Sequence, residues 1–308
     1  LNDLAMTMKM NSMNHRLLAA ALLSSLLAAC GGGGGGGGSG DGDTAGVLPP
    51  GLPVVVTPPS FDDTTPPQTT VPAPSYTSTY RLEAFNRFNE IRQAAGLGLL
   101  RQNAQLDTAA QGHSDYLSLN DMYGHYQRPG DTGFTGADPW DRMRAAGYAG
   151  WRTGSEVQAM HHGLASGGAY VDGLISTPYH RMGMLNFRWD EVGVGHSGEF
   201  PGNVTLKMGM GPGQGAPERL FVIWPVHGAS DVRRAGEPEF PNPIPENNGS
   251  PYGYTVSLQT HELRQLSVDS FTLEDQNGNL IDTKLLHHTT DTNLSNTFQA
   301  RYFAALIG

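Results

Sequence analysis

The side chains with the widest chemical reach in this chain are one cysteine and eleven histidines. Cys30 is the only thiol, and it precedes every segment that can fold, so the folded part needs no disulfide. His113 falls on one predicted helical face with Leu106, Ala109, Ala110, Tyr116 and Leu117. A histidine there is expected as a hydrogen-bonded core residue. His161-His162 follows Glu156 closely and can add a metal ligand, although a solvated loop pair is the plainer expectation. His196, His227, His261 and His287-His288 carry no pattern. The H-E-x-x-H signature of zinc proteases is absent, and so is the G-x-S-x-G elbow that presents a nucleophilic serine.

The elements that must position such residues begin late. Glycine (41) and proline (21) are in excess, and eight consecutive glycines stand at 31–38. Such a stretch cannot bury enough apolar surface to offset its chain entropy. From Tyr80 to Ala95, Leu82, Phe85, Phe88 and Ile91 follow a helical spacing, and Gly96 is a stop signal. Asn103 can cap a second helix, and Asp138-Pro139 starts a third that runs to Gly147. A fourth covers Ala169–Ser176. Short strands follow at 191–195, 204–210 and 220–224. Helices followed by strands, without βαβ alternation, predict an α+β layered domain and not a doubly wound sheet. The net charge of −10 argues against non-specific binding to nucleic acid or anionic lipid.

Met13-Asn14-His15-Arg16 supplies a positive start, and Leu17–Leu27 an apolar run too short to span a bilayer. Leu27-Ala28-Ala29-Cys30 resembles the lipobox of bacterial lipoproteins. The resemblance implies that Cys30 is diacylated and becomes the first mature residue, with Met13 the initiator and 1–30 an extension plus signal peptide. Gly31 follows the cysteine where an aspartate would mark inner-membrane retention, so an outer-membrane lipoprotein facing the periplasm or the cell surface is expected. Residues 31–75 read as a Gly/Pro-rich disordered tether, flexible first and stiffer in its proline-rich half.

Seven fragments in order then resemble the CAP superfamily (cysteine-rich secretory proteins, antigen 5 and pathogenesis-related proteins), closest to its bacterial, disulfide-free branch. They are Phe88-Asn89-Glu90-Ile91-Arg92, Leu106-Asp107-Thr108-Ala109-Ala110-Gln111-Gly112-His113, Tyr123-Gly124-His125, Asp141–Tyr148, Ser155-Glu156-Val157, Ser176-Thr177-Pro178-Tyr179-His180-Arg181 and Glu191-Val192-Gly193-Val194-Gly195. The resemblance implies an α-β-α sandwich over 76–228. A Pro-rich linker follows at 229–250. Residues 251–308 resemble the start of an immunoglobulin-like β-sandwich, but are too short for a whole one. Strands are expected at Tyr254–Leu258, Ser267–Leu273 and Leu280–Leu285, and none in the tail ARYFAALIG, which lacks alternation.

In the family a cleft is lined by two histidines and two acids. The resemblance places His125 and His180 as the histidines and Glu156 as the first acid. For the second acid, Thr177 occupies the aligned position, and Asp172 is the nearby alternative. Two imidazoles and a carboxylate can bind zinc or another divalent metal, act as acid and base, or form a hydrogen-bonded cluster that fixes the cleft wall. The leading reading is a non-enzymatic binding module for a small apolar ligand, an envelope component or a protein partner, held to the membrane through its lipidated N-terminus. The competing reading is a metal-dependent hydrolase with zinc on His125, Glu156 and His180.

Overall fold

The computed structural model describes residues 6–9, 67–150, 154–161, 163, 165–198, 202–210, 221–230, 232–236, 239–248, 250, 252–261, 266, 268–294 and 301–308. Cys30, His162 and most of the expected tether lie outside the described residues. The strand β1 (Met6–Lys9) lies along a C-terminal strand considered below. The main domain follows from Gln68 onward, where Leu99 N–H donates to the Gln68 carbonyl over 2.8 Å.

Helix starts obey their capping residues. Ser78 caps α1 (Thr79–Ala94) by accepting from Arg81 N–H, and Gly96, at φ +70°, turns the chain out of it. After the two-residue strand β2 (Arg101–Gln102), Asn103 caps α2 (Ala104–Asn120), accepting from Gln105 and Leu106 N–H. Asp138 caps α3 (Pro139–Ala145), with proline at its first position. Next come β3 (Gly154–His161), α4 (Gly167–Ile175), α5 (Pro178–Met184), β4 (Glu191–Ser197), β5 (Gly202–Gly209) and β6 (Phe221–Trp224). β2, β3 and α5 were not expected from the sequence. β2 is only two residues long and α5 only seven.

The central sheet runs β2-β4-β5-β3, parallel between β2 and β4 and antiparallel elsewhere. Its pleat sorts the side chains. Val157, Val192, Val194, Val204, Leu206 and Met208 point into a core with Phe85, Phe88 and Ile91 of α1 and Tyr170, Val171 and Leu174 of α4. The opposite face takes α2, which lies so close to β4 that a Cβ on Gly193 or Gly195 would fall on the Leu106 or Ala110 backbone. One sheet between helical layers is the expected α-β-α sandwich. Two residues of the first helical motif lock its return: Asn89 exchanges hydrogen bonds with Leu100, and buried Arg92 donates to the carbonyls of Gly98, Met184, Asn186 and Trp189.

The C-terminal part is all-β. It contains β7 (Val256–Thr260), β8 (Ser270–Glu274), β9 (Leu280–Ile281), β10 (Lys284–Leu286) and β11 (Phe303–Ile307). One antiparallel sheet has the order β10-β11-β7-β6, and β8 pairs with β1 and β9. The strand Phe221–Trp224 thus pairs with Val256–Thr260 and not with the central sheet. The expectation of a strandless tail is overturned, because Phe303–Ile307 is an inner strand of its sheet. Phe303, Ala305 and Ile307 pack with Tyr179, Met182 and Leu286, and Ala304 and Leu306 with Leu258 and Phe271. A strand buried on both faces has no reason to alternate.

Candidate functional site

Glu156 lies on β3, on the face turned toward α2 and α3. Its neighbours Ser155 and Val157 point the other way, against Gly183 of α5. Four cationic or imidazole groups reach its carboxylate. Lys207, its directly opposed partner on β5, brings Nζ to 2.6 Å from Oε2. The Arg142 guanidinium of α3 spans both oxygens at 2.9 and 3.0 Å. His125 Nδ1 lies 2.8 Å from Oε1, and His113 Nε2 lies 3.7 Å from it. The Glu156 side chain is 1% exposed. Burial alone would raise its pKa, but Arg142, Lys207 and His113, with the His125 hydrogen bond, hold it well below the ordinary carboxylate range.

The rest of the cluster is equally committed. Lys207 also donates to the Pro139 carbonyl, and burial pulls its ammonium below its ordinary value. Arg142 donates to the carbonyls of Gly136 and His125. His113 fulfils the expectation of a satisfied core histidine. Its Nε2 meets the Gly124 carbonyl at 2.9 Å, and its Nδ1 meets Gln127 Nε2 at 3.1 Å. A carbonyl only accepts, so the hydrogen sits on Nε2. Burial lowers the His113 pKa to about 3, against the opposing pull of Glu156, and the ring is neutral.

His180 is placed elsewhere. It lies on α5, in the helical layer across the sheet from the face that bears Glu156, and it meets a different carboxylate. Glu239 Oε1 is 2.7 Å from His180 Nδ1, and Thr177 Oγ1 is 2.8 Å from the same atom. Glu239 also accepts from the backbone N–H groups of Tyr179 and His180. It thereby caps α5, because Thr177 makes no side-chain cap and gives its hydroxyl hydrogen to the Leu174 carbonyl. Sequence reasoning missed Glu239. It stands in the expected linker, 59 residues beyond His180, and no motif marks it.

Asp172, the alternative second acid, is corrected outright. It pairs with Arg87 of α1 at 2.7 Å, on an outer helical surface. His161 ends β3 and is exposed. The zinc triangle of His125, Glu156 and His180 does not fit either. Both Glu156 oxygens are taken by Arg142 and Lys207, and His180 is bound to another acid. Among the described residues, no group of three or more His, Cys, Asp or Glu is arranged to hold a metal ion.

The surroundings of His125 differ from this saturated interior. Leu119, Tyr123, Tyr126 and Phe134 are exposed, Tyr123 to 82%. Leu119 lies in the last turn of α2, and the loop that carries the other three is pinned: Tyr116 donates to Asp131 over 2.7 Å, Asn120 to the Thr132 carbonyl, and Thr135 N–H to Gln127. Gly124, Gly130 and Gly133 take the positive φ its turns require.

The model of the cysteine-rich secretory protein family (CAP) matches residues 85–206. No curated protein matches the chain. Among solved structures, an extracellular protein containing an SCP domain from Bacillus anthracis str. Ames is similar at 23% identity and a TM-score of 0.37. The match covers 43% of this chain and 40% of that one, so this chain spans less than half of the Bacillus protein. An outer surface protein from Borrelia burgdorferi is similar at 16% identity and a TM-score of 0.36, over 44% of this chain and 95% of that one. A sheet flanked by helices on both faces, the seven fragments in order and the family match together make residues 85–206 a CAP domain of the cysteine-rich secretory protein family.

Proposed function

We propose that this chain is a lipid-anchored, extracytoplasmic binding module whose CAP domain offers the surface around His125 to a small apolar ligand or an envelope component. The observation that carries this reading is the run of exposed apolar side chains in the segment of chain that holds His125. Four of the seven large exposed hydrophobic residues among the described ones (Leu119, Tyr123, Tyr126 and Phe134) fall within 119–134. Soluble proteins seldom leave such groups together without a use for them. Rigid tyrosines supply contact area at little entropic cost. Glu156, held by Arg142 and Lys207, fixes the His125 ring from the interior.

The anchor rests on the sequence around Cys30. Cleavage there would remove Met6–Lys9 from the edge of β8 and leave the CAP domain intact. The tether from Cys30 to Gln68 would let the domain range about 30–40 Å from the membrane, taking 5–6 Å times the square root of its residue count.

Purification of the full chain from membranes, followed by mass spectrometry of extracted small molecules, tests the binding role. An apolar compound is expected to co-purify with the wild type and to be lost from a Tyr123→Ser/Tyr126→Ser variant of unchanged melting temperature. Retention by that variant, or no bound compound in either protein, would overturn the reading. Stoichiometric zinc lost on His125→Ala would support the metal-site reading instead.

A further inference from the structure

The hydrogen bonds around His180 fix more than the end of a helix. Its Nδ1 has two close neighbours, Glu239 Oε1 at 2.7 Å and Thr177 Oγ1 at 2.8 Å. An ionised carboxylate only accepts. The Thr177 hydroxyl has a single hydrogen, which it gives to the Leu174 carbonyl over 2.9 Å. Toward His180 it too accepts. Both neighbours of Nδ1 therefore require a donor there, so a ring hydrogen sits on Nδ1. Glu239 is itself immobilised: its side chain is 0% exposed, and its two oxygens also receive the Tyr179 and His180 N–H groups.

We propose that Glu239, which lies outside the family-matched segment, is the positioning residue of His180. It locks the imidazole as the Nδ1–H tautomer, in which the lone pair is on Nε2. Of the two acceptors the carboxylate dominates, because a charge-assisted hydrogen bond is roughly twice as strong as a neutral one. The arrangement parallels His125, whose Nδ1 is held by Glu156 Oε1 at 2.8 Å. The difference lies in the source of the acid. Glu156 comes from the central sheet, whereas Glu239 comes from the chain that leads into the C-terminal sheet. A histidine of the CAP domain is thus oriented by a residue that the domain itself does not contain. This holds whether or not the surface near His125 takes an apolar ligand, so the two proposals fail separately.

Nitrogen-15 NMR of the histidine-labelled full chain tests it. His180 of the wild type is expected as the Nδ1–H tautomer, with a downfield, slowly exchanging Nδ1 proton. Glu239→Gln keeps an oxygen for the helix N–H groups but removes the charge. It is expected to move that proton upfield and speed its exchange, while the signals of His125 stay in place. Tyr179→Phe cuts the bonds of α5 to Asp291 and Asn293 with Glu239 intact, and is expected to leave the His180 proton unchanged. An Nε2–H tautomer in the wild type would overturn the proposal without any variant. An unchanged His180 proton in Glu239→Gln would overturn it too, as would an equal change in Tyr179→Phe, which would reduce Glu239 to a docking contact.

Discussion

Glu156 and Lys207 face each other as directly paired residues on adjacent antiparallel strands, with Nζ 2.6 Å from Oε2 and both side chains buried. Their charges are separated from water by α2 and α3. Each is therefore held by the other, and the pair defines the floor under His125.

Removing one partner should be costly. Glu156→Gln leaves Lys207 and Arg142 without a counter-charge, and Lys207→Met leaves the carboxylate to Arg142 alone. Each is expected to destabilise the domain by ~3–5 kcal/mol, the range for a broken buried pair. The double variant should cost clearly less than the two losses added together. Urea unfolding of the four proteins reads the coupling directly, and strict additivity would contradict a paired floor.

The fold should weaken in mild acid. Burial holds His113 to about 3, whereas the unfolded residue protonates near 6.5. The unfolded chain then binds the extra proton, so stability is complete above 6.5 and is lost as the pH falls from there toward 3. Glu156, held well below its ordinary 4.5, adds a loss in the same direction that begins only near 4.5. Between pH 6.5 and 4.5 the slope due to His113 should approach ~1.4 kcal/mol per pH unit. His113→Gln should flatten the curve in that window, as measured by denaturation at a series of pH values.

Gly193→Ala should force α2 off the sheet. The added methyl would meet the Leu106 backbone, which cannot move as a side-chain end can. A loss of ~3 kcal/mol or more is expected, at or above the upper end for overpacked cores. Gly173→Ala, where nothing lies near the new Cβ, is the control. Gly173 is within α4, so this substitution should stabilise slightly. Thermal melts of the two variants should move in opposite directions.

Arg181 ties α5 to the C-terminal sheet by donating to the carbonyls of Ile175, Ser176 and Thr255 and to the Ser257 hydroxyl. Arg181→Met should cost ~3 kcal/mol or more, because several buried acceptors lose their donor together. Hydrogen exchange should show α5 and β7 opening together in this variant, with α2 still protected.

Cys30→Ser should release the protein from the membrane fraction and abolish incorporation of a palmitate analogue. Labelling that persists in the variant would dismiss the anchor.

What could be read from the sequence was whatever local physics fixes. Asn103 and Asp138 sit where a cap must satisfy the first free N–H groups, and Gly96 where the chain must turn. The apolar spacing of Phe85, Phe88 and Ile91 needs a core on one side. His113 on an apolar face had to be a satisfied core residue. The family fragments likewise brought His125 and Glu156 together, because a short loop and an adjacent strand deliver both to one place.

Tertiary structure decided the remainder. Whether Glu156 is a free ligand or a neutralised strut depends on Lys207 and Arg142, which reach it from β5 and α3; Lys207 carries no local signal, and the fragment holding Arg142 does not say what it reaches. His180 found its acid 59 residues away, since a short helix without its own cap takes any carboxylate that packing brings to its first turn. The tail Phe303–Ile307 showed no alternation because both of its faces are buried, a fact that belongs to its neighbours. Sequence patterns record what a residue asks of water and of its nearest turn. Charge neutralisation and strand pairing are settled by distant chain, and only the packed fold brings that chain within bonding range.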